Sequence, residues 1–334
     1  MKGVLLALGF VAASTRSEPG PAEASSREPQ MVVAHPRGAT AIAAAAEGLV
    51  LATGGLDGVV RLWNGGDLSP LRTVAAHAAE CYAVALSADG ARVASGGLEG
   101  ATVGGRVAVH DADDGTLLLE WRHATAWPLS VALAPDGRQV AAGFSDGSLR
   151  LWSVAADGAP PVELVAAGRR RVGALAWSPD GSQLASATDA ITVWDVEKRK
   201  ALRTVSGHQD DVRALAWSAD GRQLASASHD GSARVVESAT GTLVRRVDVA
   251  GFVMAGPAGS LVQPLRLPLI GVAFHEGGAT LAMAGAGRKI DRAHLVTGAV
   301  DPAPLLGHRK TITGLAAMDG RLFSVALDGT LRAW

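Results

Sequence analysis

Residues 223–236 read QLASASHDGSARVV: an alternating run, an Asp-Gly turn at Asp230-Gly231, and a second alternating run. Alternation is the period of strands, and Asp-Gly supports the tight turn of a hairpin, because aspartate bonds its own backbone and glycine accepts positive φ. The same sentence recurs as QVAAGFSDGSLRLW (139–152), QLASATDAITVW (183–194) and RLFSVALDGTLRAW (321–334), with an earlier relative LVLATGGLDGVVRLW (49–63). Trp152 to Trp194 and Trp194 to Val236 are both 42 residues apart. Trp63 to the matching His110 is 47, the excess being ATVGG (101–105), and a degenerate sixth copy is placed with Arg292 at its final position. Seven copies tile the chain.

Working outward, each copy is preceded by a second turn signal: Ser87-Ala88-Asp89-Gly90, Ala134-Pro135-Asp136-Gly137, Ser178-Pro179-Asp180-Gly181 and Ser218-Ala219-Asp220-Gly221. A further strand follows, as in LRTV at 71–74 and again at 202–205. Four strands in about 42 residues make a propeller blade. The expectation is an all-β, seven-bladed β-propeller of four-stranded antiparallel blades over residues 30–334. The last copy stops after its third strand, and Gln30-Met31-Val32-Val33-Ala34 is claimed by no earlier strand.

Composition agrees. Apolar residues make up 48% of the 334, enough for a substantial core, and 41 glycines suit short strands and tight turns. With 31 Lys+Arg against 32 Asp+Glu, no global field gathers nucleic acid. A single cysteine, Cys81, excludes an internal disulfide framework or thiolate cluster. The opening Met1-Lys2 followed by GVLLALGFVAA (3–13) is too short to span a bilayer but fits a secretory signal, with small residues at the right offsets for cleavage after Ala13 or after Ala24. Residues 1–24 are read as signal and cleavage region and 25–29 as linker, so the expectation is an exported protein, periplasmic or extracellular, with a cytoplasmic one as the alternative.

With Gly207-His208, Trp194-Asp195, Gly307-His308 and the Asp-Gly-x-x-Arg-x-Trp runs ending at Trp63, Trp152 and Trp334, the chain resembles the WD40 repeat family over residues 31–334. The resemblance implies that the N-terminal strand completes the last blade and closes the ring. It also implies a hydrogen-bonded network of loop His, strand hydroxyl, turn Asp and Trp inside each blade. Blade 1 offers His35, Thr53, Asp57 and Trp63, and blade 7 His308, Ser324, Asp328 and Trp334. Blade 5 has His208, Ser226 and Asp230 with Val236 for Trp, and blade 3 has His123, Asp146 and Trp152 with Ala142 for the hydroxyl. Blade 2 has His77, Ser95 and Glu99 with His110 for Trp. Blade 4 has Ser186 and Trp194 with Arg169 for His and a turn one residue shorter, and blade 6 retains none. Recurrence at a fixed period marks these His–Asp–Ser sets as structural rather than catalytic triads.

No HExxH, haem, phosphate-loop or nucleophile-elbow motif occurs. Asp111-Ala112-Asp113-Asp114-Gly115 lacks the rest of a calcium loop, and Arg169-Arg170-Arg171 is the only tight basic cluster. No cofactor and no metal is expected. Two places break the period, ATVGG and the apolar insertion at 251–268, and in this family both loop types reach one face of the disc. That face is expected to carry Leu56, Leu98, Trp127, Phe144, Arg171, Asp211, His229, Lys310 and Leu327, with Phe252 and Met254 on the insertion. The insertion is read as packing over blade 6 or as a flap for a partner. The functional expectation is a monomeric, non-catalytic scaffold for a protein or peptide partner. The alternative is an exported propeller enzyme, a hydrolase or lyase with its site in the central funnel.

Overall fold

The computed structural model describes residues 29–100, 104–154, 161–164, 170–249 and 266–334. The signal region at 1–24, Ala101–Val103 of the first insertion, Arg169, and Phe252 and Met254 of the second lie outside the described residues.

Seven four-stranded antiparallel sheets follow one another, each ordered a to d from the channel outward. Blade 1 comprises Ala39–Ala44, Val50–Gly55, Val59–Asn64 and Pro70–Ala75. Blade 2 comprises Cys81–Leu86, Arg92–Leu98, Gly105–Asp111 and Leu117–His123. Blade 3 runs Pro128–Leu133, Gln139–Phe144, Leu149–Ser153 and a short Val162–Leu164. Blade 4 is Ala174–Trp177, Gln183–Ala187, Ile191–Asp195 and Lys200–Val205. Blade 5 is Val212–Trp217, Gln223–Ser228, Ser232–Glu237 and Leu243–Asp248. Blade 6 is Leu269–His275, Thr280–Gly285, Lys289–His294 and Leu305–Leu306. Blade 7 takes Ile312–Met318, Arg321–Ala326 and Thr330–Ala333 from the chain's last residues and its strand d, Gln30–Val33, from the first. Gln30 pairs with Ala333 and Val33 with Thr330, so the ring is closed by hydrogen bonds and has no open seam.

The turns between strands a and b form for the reason their residues suggest. Ser178 Oγ donates to Asp180 Oδ1 (2.5 Å) and accepts from Gln183 N (2.9 Å), while Gly181 takes φ +71°. Identical bonds hold Ser87-Asp89 and Ser218-Asp220.

Core forms between blades as much as within them. Ala94, Val107 and Val109 of blade 2 pack with Val131, Val140 and Phe144 of blade 3. Trp177 Nε1 donates across to Ala132 O (3.2 Å) and Trp217 Nε1 to Ala176 O (3.1 Å), stitching neighbouring blades at strand a. Cys81 is fully buried and burial pushes its thiol up to about 12, so it packs as a small apolar residue. Among the described residues no helix is long and apolar enough to cross a membrane.

Candidate functional site

In blade 1 the four expected side chains form one directed chain of hydrogen bonds. Trp63 Nε1 donates to Thr53 Oγ1 (2.9 Å), whose hydroxyl in turn donates to His35 Nε2 (2.9 Å). His35 Nδ1 then donates to Asp57 Oδ1 (2.9 Å), which fixes the imidazole tautomer. Arg61 Nη1 donates to the other carboxylate oxygen, Asp57 Oδ2 (2.8 Å), and lies 2.6 Å from His35 Nδ1. Burial holds His35 below its ordinary value despite the neighbouring carboxylate, so the ring is neutral. Burial opposes the Asp57 charge, and the bonds from Arg61 and His35 outweigh it, leaving that carboxyl lowered.

Blade 7 repeats the chain with Trp334, Ser324, His308 and Asp328 at 2.9, 2.8 and 3.2 Å. Blade 5 keeps His208 to Ser226 (2.8 Å) and to Asp230 (3.0 Å), with Val236 ending it. Blade 4 keeps only Trp194 Nε1 to Ser186 Oγ (2.8 Å) among the described residues. Ser186 and Trp194 are 8 positions apart against 10 for Thr53 and Trp63, so its turn is shorter by two residues, not one.

In blade 2, His77 bonds Ser95 (3.0 Å), but Glu99 stands 3.6 Å from Nδ1, which has no hydrogen bond. Burial, with Arg106 and His110 adding to it, pushes His77 down to about 3. In blade 6 the strand register corrects the sequence alignment. Met283 pairs with Asp291 and Leu281 with Ala293, so the buried Ala293 occupies the Trp position. Arg292, placed there by a 42-residue count, is one residue off and pairs with Asp301.

Blade 3 differs in kind. Ala142 offers no hydroxyl and Trp152 Nε1 is buried without a hydrogen-bond partner among the described residues. His123 is turned over, its Nδ1 accepting from Ala126 N (3.0 Å) and its Nε2 3.4 Å from Asp146. Phe144, expected on the loop face, is fully buried. It sits in a knot with Trp121, His123 and Trp152, ring centroids 5.2–6.4 Å apart, and Arg150 lies 4.7 Å over Trp121. That placement withdraws it from any docking surface.

The other expected face residues are accessible. Leu56, Leu98, Trp127 and Leu327 are half-buried and Lys310 is exposed. The structure brings Arg171, Asp211 and His229 together: Arg171 Nε donates to Asp211 Oδ2 (2.8 Å), and Asp210, Asp211 and His229 lie with ligand-type atoms within 4.8 Å of one another. Burial lowers His229, with Arg213 adding to the effect and Asp210 and Asp211 opposing it. Two carboxylates of the Asp111–Gly115 stretch are engaged by their own turn, Asp111 Oδ1 accepting from Asp113 N and Asp114 Oδ1 from Thr116 N.

The seven a strands enclose a central channel of about 380 Å³. At one register, skipped by a bulge in six of the blades, it is lined by Thr40, Tyr82, Leu129, Gly173, Arg213, Ile270 and Thr313. The next layer, including Ile42, Val84, Leu175, Leu215 and Val272, is aliphatic. Sequence reasoning foresaw an apolar wall but missed Arg213, the one charged residue lining the channel among the described residues. The available signal was its alignment with Thr40 and Thr313, one position past the buried start of strand a.

The WD domain, G-beta repeat signature matches residues 27–64, 68–103, 114–153, 163–195 and 199–237, more than half of the chain. The chain is 31% identical over 180 residues to WD repeat-containing protein VIP3 of Arabidopsis thaliana, covering 49% of this chain and 54% of that protein. It is 34% identical over 97 residues to WD repeat and SOCS box-containing protein 1 of Takifugu rubripes, covering 28% of this chain and 22% of that one. The chain thus spans about half or less of the length of these relatives. Signature, relatives and seven closed blades together identify it as a member of the WD40 repeat family.

Proposed function

We propose that this propeller is a non-catalytic scaffold that holds a protein or peptide partner on its loop face. The WD-repeat relatives point to a protein-interaction scaffold. The observation that carries the finer reading is the make-up of that face. Half-buried Leu56, Leu98, Trp127 and Leu327 stand beside charged Arg171 and Lys310, a mixture of apolar anchors and polar rim suited to protein contact. The residues that resemble catalytic sets, His35–Asp57–Thr53 and its repeats, are engaged with one another inside the blades. A funnel enzyme needs converging acid and base groups, whereas Arg213 is the only charge lining the channel among the described residues.

The test is cross-linking mass spectrometry in the host with wild type and a Trp127→Ala/Leu327→Ala variant. Cross-links concentrated on the loop face and lost in the variant are expected; cross-links confined to the opposite face overturn the reading. We further propose export, on the strength of the apolar leader at 3–13. Sequencing the mature N-terminus is expected to find a start at Ser14 or Ser25, and a retained Met1 refutes export.

A further inference from the structure

Charge on the loop face is unevenly neutralised. Over blades 2 to 5 the exposed arginines are tied down: Arg122 to Glu99 (3.0 Å), Arg170 to Asp189 (3.6 Å) and Arg171 to Asp211 (2.8 Å). Over the adjoining blades 6, 7 and 1, Arg288, Arg309, Lys310 and Arg37 are all exposed, and none has an ion-pair partner among the described residues.

Three of these four surround one point. Leu327 N donates to Thr311 O (3.0 Å), directly after Arg309-Lys310, and a Cβ on Gly38, next to Arg37, would lie 3.3 Å from Leu327 O. Arg288 belongs to the neighbouring blade's turn between strands b and c. Beside this arc, lining the channel from strand a of blade 5, stands Arg213. Its Nε is buried without a hydrogen bond, and its guanidinium lies against Gly173, where a Cβ would come within 3.4 Å of Nη1. The closest carboxylate group in the sequence, Asp211, is held by Arg171. Uncompensated cations around a half-buried leucine and an apolar channel form a surface complementary to carboxylates carried on a flexible backbone.

We infer that the partner segment seated on blades 5, 6, 7 and 1 is a short acidic peptide, its flanking carboxylates over Arg37, Arg309 and Lys310 and one carboxylate reaching Arg213. This rests on the scaffold reading above. A long polyanion such as RNA fits less well, because Glu80, Asp146 and Asp189 stand over blades 2 to 4 of the same face.

The experiment is fluorescence anisotropy of the whole chain with three labelled probes: a short Glu-Ala peptide, its Gln-Ala counterpart, and oligouridylate. The Glu-Ala peptide is expected to bind, more weakly as salt rises. Arg309→Glu/Lys310→Glu and, separately, Arg213→Gln are each expected to lose roughly tenfold in affinity. Arg138→Glu, exposed on the opposite face, is expected to change nothing. Equal binding of the Glu-Ala and Gln-Ala peptides, or variants that bind like wild type, overturns the inference. So does oligouridylate binding more tightly through the same arginines. If the Glu-Ala peptide fails while the Trp127/Leu327 cross-links persist, the acidic partner falls and the scaffold stands; if both fail, both readings fall.

Discussion

Blades 1 and 3 solve the same packing problem with opposite chemistry. The position two residues after the strand-b hydroxyl is Gly55 in blade 1 and Phe144 in blade 3. At Gly55 a Cβ would lie 2.2 Å from His35 Nδ1, so the absent side chain is what lets the imidazole rest on the strand and complete the chain from Trp63 to Asp57. In blade 3 a phenyl ring fills that space. His123 cannot lie there, turns its Nδ1 to the loop backbone and stacks on Phe144 at 5.4 Å, while Trp121 and Arg150 close the cluster. A directed polar chain and an aromatic knot therefore hold homologous loops. The first depends on hydrogen bonds that leave a buried orphan when one is cut, the second on shape and area.

The largest expected effect removes the frame both blades share. Deleting residues 30–34 strips strand d from blade 7 and the lead into His35, and size-exclusion chromatography should find oligomers or no soluble protein. A monomer with unchanged Tm breaks the picture of a ring held shut by Gln30–Val33. Next, Phe144→Ala empties the centre of the knot and should cost about 3–5 kcal/mol in urea unfolding. A loss below ~1 kcal/mol means the knot is decoration.

The sharper contrast is between the turn aspartates. Asp57→Asn leaves His35 and Arg61 without their acceptor charge and should cost ~1–3 kcal/mol. The exposed Asp146 chiefly caps its own turn through Ser148 N (2.9 Å), so Asp146→Asn should stay within about 0.5 kcal/mol. Equal losses would erase the distinction between the blades.

Acid should act on the polar chains. His35, His208 and His308 are held below their ordinary 6.5 by burial, so the unfolded state takes up their protons first. The stability they lend is complete above that value and declines as pH falls through it. Asp328, which burial opposes but which Thr330 and Arg309 N hold at about 2, adds a second loss as pH drops from 3.8 toward that value. Tm should therefore be level above neutrality and fall steadily in acid; a Tm that rises between pH 6.5 and 5 contradicts the neutral, buried assignment. One further change should be a gain. Ala142→Ser should give Trp152 Nε1 its missing acceptor and raise stability by about 1 kcal/mol, while a loss would show that the knot leaves no room for the hydroxyl.

Blade number and strand order were legible because a 42-residue spacing and Asp-Gly turns repeat in phase, and closure because the family resemblance gave the unclaimed residues 30–34 a place in the last blade. Missing groups were legible too, as with Ala142 and Val236. What replaces them was not. Phe144 reads as a loop residue beside Leu56 and Leu98 until its pairing with Pro128 shows that it aligns with Gly55 instead. Arg292 was misplaced by counting residues, since only hydrogen-bond register distinguishes it from Ala293. Arg213 escaped notice because a bulge sets its direction, and bulges leave little trace in composition.

The pairing of Gln30 with Ala333 also orders events in time. During synthesis the first strand leaves the ribosome long before Thr330–Ala333 exists to receive it. Until those residues emerge, the nascent protein carries an unmated edge at Gln30–Val33, a window in which a chaperone or a neighbouring copy competes for the place that Thr330–Ala333 takes.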